Sequence, residues 1–130
     1  MQINSLSTTE RNQMVDITTK VQDYASNEGI VEGLVFVYVP HTTAGVTINE
    51  GADPAVTLDI ETHLKKLIPK DAGFRHGEGN SDGHIKSSLM GCSAMVPVSG
   101  GKIALGTWQA VYFCEFDGPR SRSYYLAAVK

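Results

Sequence analysis

Residues 29–40, GIVEGLVFVYVP, are a nearly unbroken run of β-branched and aromatic side chains closed by Pro40. Such a run suits a central strand covered on both faces, so the rest of the chain must supply its neighbours and the layers around it. QINSLST at 2–8 alternates weakly and reads as an edge strand, and VTINE at 46–50 as a strand after the HTTAG turn. SAMVPV (93–98), KIALGTWQAVYFCEF (102–116) and RSYYLAAV (122–129) read as three more, with SGGK at 99–102 as a hairpin turn whose glycines allow positive φ.

Two segments change period. In MVDITTKVQDYASNEG, Ile17, Val21, Tyr24 and Ala25 fall at helical spacing, with Asp16 as N-cap and Gly29 past the C-terminus. DPAVTLDIETHLKKLIPKD is the clearest helix. Asp53 caps it, Pro54 takes the first position, Val56, Ile60, Leu64 and Leu67 form an apolar stripe, and Pro69 stops it. HIKSSLMG at 84–91 reads as a helical turn. The order β-α-β-β-α-loop-β-β-β lacks βαβ alternation, so the expectation is one α+β domain over 1–130 with a mixed or antiparallel sheet.

A net charge of −3 argues against nucleic acid as the main partner. No apolar run approaches the roughly 20 residues that span a bilayer, and the N-terminus lacks the pattern of a signal peptide. The expected compartment is the cytoplasm. Cys92 and Cys114 sit in no CxxC or CxxH arrangement, and both read as buried free thiols.

The chemistry gathers in RHGEGNSDGHIKSS at 75–88. His76 and His84 lie eight residues apart with Glu78 and Asp82 between them, and glycines at 77, 79 and 83 let the backbone fold back. Histidines with an open position suit a transition metal, and a carboxylate would orient a ring nitrogen or act as base. The plainer alternative is a solvated loop capped by Asp82. His41 ends the most buried-looking strand, a rigid platform, beside Thr42 and Thr43, whose hydroxyl and N–H groups can hold an anion. His63, mid-helix among charges, reads as a solvated surface residue. Asn49 and Glu50 follow a strand, and Trp108 and Gln109 lie within a strand pattern where tryptophan is more often core. Glu115, near the end of an apolar strand, needs a partner, and Arg120 and Arg122 are the nearest cations.

Together, HTTAGVTINEGADPAV, HGEGNSDGHIKSSLMG, PVSGGKIALGTWQ and EFDGPRSR resemble the ordered motifs of the YjbQ-like family, known as secondary thiamine-phosphate synthases. The resemblance runs from about residue 34 to 122; Gly83 stands where a small residue such as alanine is expected. It implies a sheet wrapped around helices, a homotrimer, and a polar pocket at the subunit boundary. Its motif positions are His41, Thr42, Thr43, Asn49, Glu50, His76, Glu78, Asp82, His84, Ser87, Gly91, Trp108, Gln109, Glu115 and Arg122. The implied reaction joins hydroxymethylpyrimidine diphosphate to a thiazole phosphate. Arg120, Arg122, Lys86 and Mg²⁺ would then steady the departing diphosphate, and Trp108 would stack on a ring. The alternatives are a hydrolase or lyase with zinc or a related ion on His41, His76 and His84 and Glu78 or Asp82 as base, or a trimeric binding protein without turnover.

Overall fold

The computed structural model describes all 130 residues. Eight strands and three helices follow in the order β1 (Gln2–Ser7), β2 (Gln13–Asp16), α1 (Thr18–Asn27), β3 (Glu32–Tyr38), β4 (Ala44–Glu50), α2 (Pro54–Leu67), α3 (Ser81–Met90), β5 (Ser93–Ser99), β6 (Lys102–Ile103), β7 (Gln109–Glu115) and β8 (Ser121–Val129). They form a five-stranded sheet, β1-β8-β3-β5-β6, and a three-stranded sheet, β2-β7-β4. Every pairing is antiparallel.

The alternation of β7 explains the layering. Val111 and Phe113 point into the main core with Val35, Val37, Val46, Val96, Leu126 and the α1 residues Val21, Tyr24 and Ala25. Ala110, Tyr112, Cys114 and Phe116 point the other way, where Met14, Leu64 and Met90 pack against them. The three-stranded sheet is therefore buried on both faces.

β3 is central, as expected, but covered on one face alone. Val35 and Val37 are fully buried, whereas Tyr38 is 37% exposed. Register puts Phe36 opposite Met95 and Ala127, and Tyr38 opposite Tyr125, which in turn faces Ile3. With Ile3 61% and Met95 56% exposed, this outer face is an apolar surface open to solvent.

Two local readings are corrected. Asp16 is not the cap of α1 but the last residue of β2, which pairs with β7 through Gln13↔Glu115 and Asp16↔Tyr112. Its carboxylate still accepts the Thr18 N–H at 2.9 Å. The segment 102–116 is two strands, because Gly106 and Gln109 close a turn through Gln109 N–H donating to Gly106 O at 3.0 Å and Gly106 N–H donating to Gln109 Oε1 at 2.8 Å. That turn carries the chain from one sheet to the other.

α2 forms as read, its N-cap Asp53 accepting from Ala55 N–H, with Pro54 at the first position. Its stripe, however, buries no residue fully, and Leu67 is 63% exposed. The SGGK turn holds Gly100 and Gly101 at φ 59° and 78°. No helix is long and apolar enough to cross a membrane.

Candidate functional site

Where β3 stops, the chain builds one wall of a cleft. Proline cannot donate to a sheet ladder, and β3 loses its pairing to β8 after Tyr38↔Tyr125. The His41 side chain occupies the vacated position instead. Its Nε2 lies 3.0 Å from both the N–H and the C=O of Ser123. One nitrogen serves one of these at a time. Accepting from Ser123 N–H puts the proton on Nδ1; donating to the carbonyl leaves Nδ1 as a free acceptor.

Burial, then the nearby Arg122 charge, lowers the His41 pKa below 6.5. The sign follows from linkage. The unfolded chain protonates this ring below pH 6.5 before the folded protein does, so its contribution is full above that pH and lost as pH falls. Unfolding free energy measured in urea should therefore decline with acid below pH 6.5, and His41→Gln should flatten that part of the profile. An unchanged slope in the variant would assign the titration elsewhere.

Behind the wall lies a buried ion pair. Arg122 donates from Nε to Glu115 Oε2 at 2.8 Å and from Nη2 to Glu115 Oε1, Thr43 Oγ1 and Thr43 O. Glu115 also accepts from Phe116 N–H, Asp117 N–H and the Thr8 hydroxyl. Burial would raise its pKa; the Arg122 hydrogen bonds and these further donors outweigh it and hold the carboxylate low. The partner the sequence demanded for Glu115 is thus Arg122. Arg120 turns to Asp117, donating from Nε to its carbonyl and from Nη2 to its carboxylate, both at 2.9 Å.

α3 forms the opposite wall. Gly83 lets it approach closely: a Cβ there would lie 3.0 Å from Phe116 O and 3.3 Å from the Thr43 methyl. The Ser87 hydroxyl donates to Ala44 O at 2.8 Å and fixes the helix on β4. His84 then faces His76, ring centroids 5.5 Å apart and edge to face, and His76 Nε2 lies 3.7 Å from Glu78 Oε2.

The result is an open polar cleft of about 470 Å³, lined by Pro40, His41, Thr42, Thr43, His76, Glu78, Asn80, His84, Arg120 and Arg122. It thus assembles eight of the residues picked from sequence. As a donor set, imidazoles with a carboxylate suit a transition metal better than Mg²⁺. No three His, Cys, Asp or Glu side chains are grouped closely enough to hold one ion. The side chains as placed therefore present a pair, and no step is derived through a metal.

Other expected residues lie elsewhere. Asp82, expected as a base, is 1% exposed and bound by Arg11 and Lys86 at 3.0 and 3.2 Å. Burial raises its pKa, but these two cations prevail and lower it, so it is a structural anion. Lys86, expected to meet a diphosphate, is buried against Asp82 and Asn12. Asn49, Glu50, Trp108 and Gln109 gather at the far end of the β4–β7 ladder, where Glu50 pairs with Gln109. That is six residues, roughly 20 Å, along β4 from Ala44. Trp108 is not core but 66% exposed, because the Gly106 turn lifts it off the sheet. Cys114 is a buried free thiol, but Cys92 is exposed. His63 is exposed, as read.

Three contributors escaped the sequence reading. Asn80 joins the cleft lining and donates to Asp117 at 2.9 Å. Arg11 ties Asp82 to Asp117, and Thr8 ties Glu115 to the Arg120 backbone. Both lie between 71 and 112 residues from those partners, so no local pattern announces them.

Residues 2–130 match the family described as UPF0047 protein YjbQ-like. Among relatives, UPF0047 protein MJ1081 of Methanocaldococcus jannaschii is 51% identical over 95% of this chain and 90% of its own length. UPF0047 protein YugU of Bacillus subtilis is 48% identical over 93% and 92%. The crystal structure of an uncharacterized conserved protein of the yjbq/upf0047 family from Clostridium acetobutylicum superposes with TM-score 0.98 at 47% identity, covering 99% and 100% of the two chains.

Proposed function

The chain belongs to the YjbQ-like family, and from that premise we propose that it is a small-molecule enzyme whose histidine-rich cleft binds a phosphorylated substrate. The observation that carries this reading is the lining. None of its ten residues is hydrophobic, and three imidazoles and two guanidinium groups face a single carboxylate, Glu78. The bonds that hold Arg120 and Arg122 in place leave Nη1 of each without a protein partner. Asn80, where α3 begins, also lies on the wall, so the positive end of the helix adds to the potential.

The reaction this supports best is the one the family resemblance implies: hydroxymethylpyrimidine diphosphate joined to a thiazole phosphate, as in a thiamine-phosphate synthase. The free guanidinium edges would meet the departing diphosphate. His41, His76, His84 and Glu78 are the groups within the cleft able to move a proton. Arg120→Ala should weaken inorganic phosphate binding about tenfold in calorimetry while the fold persists, since Arg120 is exposed. Equal affinity in variant and wild type would remove the anion-binding premise.

One observation favours a second reading, a metal-dependent hydrolase or lyase: His76 lies beside His84 and, separately, beside Glu78, a pairwise arrangement that a bound ion would have to draw together. Zinc or another transition metal retained by the untagged protein and lost in His76→Ala and His84→Ala would support it. Metal or ligand retained without turnover of any phosphate ester would favour a binding protein.

We place the protein in the cytoplasm as a homotrimer. The open apolar face around Phe36, Tyr38, Met95 and Tyr125 supports self-association. A neighbouring copy could then bring its Asn49, Glu50, Trp108 and Gln109 to the cleft, a meeting the roughly 20 Å along β4 forbids within one chain.

A further inference from the structure

The cleft does not end at His84. A second hollow of about 370 Å³, lined by Thr42, His84, Ser87, Ser88, Gly91 and Cys92, shares Thr42 and His84 with the first. The two adjoin at these residues but differ in chemistry. No lysine, arginine, aspartate or glutamate lines the second hollow.

The protons of both its serine hydroxyls are also already spent, while the Thr42 hydroxyl at the shared wall stays free. Ser87 donates to Ala44 O at 2.8 Å and Ser88 to His84 O at 2.9 Å. What these oxygens still offer is lone pairs. The floor is fixed, since Val46 N–H donates to Gly91 O at 3.1 Å and Val39 N–H to Cys92 O at 2.8 Å. At Gly91 a Cβ would meet nothing within 4 Å, so the space above it is open.

We propose that this hollow seats the neutral, hydrogen-donating body of a ligand whose phosphate lies in the cationic cleft. The ligand class is then an organic phosphate monoester, and inorganic phosphate fills half the site. This rests on the phosphate reading above and adds to it where the rest of the molecule goes. A second anionic group would find no counter-charge in the hollow. A purely apolar body would strand the serine lone pairs, each unmet polar group costing free energy.

Cys92 gives the test a reporter. It is exposed, whereas Cys114 is buried and its thiol is pushed up to about 12 by burial. Alkylation by iodoacetamide therefore reads Cys92 alone, followed by mass spectrometry on the full-length protein. The probes are 4-aminophenyl phosphate and inorganic phosphate, each at a concentration that calorimetry shows to be saturating. The first should slow Cys92 alkylation about tenfold when nine-tenths of the protein is loaded, since only the free fraction reacts. The second should leave the rate unchanged. Cys92→Phe, at an exposed position that does not threaten folding, should weaken 4-aminophenyl phosphate about tenfold and inorganic phosphate not at all.

If 4-aminophenyl phosphate binds in an Arg120-dependent way yet Cys92 reacts at its free rate, the hollow is not the subsite and the proposal falls while the anion cleft stands. A Cys92 that resists alkylation in the unliganded protein means the hollow is closed in solution, which also overturns it. Failure of both phosphates to bind removes the cleft reading and this one together.

Discussion

Arg122→Ala should lower the free energy of unfolding by about 3–5 kcal/mol, the usual consequence of removing one partner of a buried ion pair. Glu115 is 0% exposed, and Arg122 supplies two of its bonds while also holding Thr43 by its hydroxyl and its carbonyl. Without the guanidinium, Glu115 keeps donors from Thr8 and two backbone N–H groups but loses its counter-charge. The pH dependence identifies the mechanism. In the wild type the Glu115 pKa is held below 4.5, so its contribution is full above that pH and lost as pH falls through the depressed folded value. In the variant, burial without a cation raises the pKa instead. The deficit relative to wild type should therefore shrink as pH falls from 7 toward 4. Urea unfolding at several pH values measures it. A deficit constant with pH would mean that lost packing of the Arg122 stem, not an uncompensated charge, sets the cost.

The sequence pointed to a partner for Glu115, because a carboxylate on an apolar strand must be matched, but it left Arg120 and Arg122 as equal candidates, and the structure selects Arg122. The helix of Asp53 and Pro54, the GG turn and the centrality of β3 were legible for the same reason: each is a local signal with a local cause. The ends of things were not. β2 is four residues long and becomes a strand by pairing with β7 across a hundred residues. Asp82 looked like a base because one of its two cations, Arg11, lies seventy-one positions away, and the other, Lys86 one turn on, was taken for a ligand of the substrate. Motif order placed His41, Glu78 and His84 in one site, and the fold places them in one cleft. The same motifs named Trp108 and Glu50, which a single chain keeps at the other end of a ladder, so the spatial grouping within the motif set was invisible to spacing.

Lys86 gives the sharpest contrast between a reading by residue type and one by position. As a cation in a motif beside two histidines it was expected to meet a diphosphate. Lys86 is instead 2% exposed, its ammonium 3.2 Å from Asp82 one turn earlier and 3.1 Å from Asn12. Lys86→Met, which keeps most of the volume, should therefore destabilise the protein by about 3 kcal/mol or more, because Asp82 loses its helical partner and the Asn12 side-chain oxygen its donor. It should leave inorganic phosphate affinity unchanged when measured well below the melting temperature. The two effects separate the roles, since a phosphate-binding lysine would show the reverse. Coupling locates the network further. Arg11 and Lys86 share Asp82, so Arg11→Ala and Lys86→Met should be non-additive by roughly 0.5–3 kcal/mol in a double-mutant cycle. Arg11 also reaches Asp117, which Arg120 and Asn80 grip from the cleft side. Additive costs would show that the two cations stabilise α3 independently, and that the cleft wall carrying His84 is set by Gly83 and Ser87 packing on β4 without the buried charges beneath it.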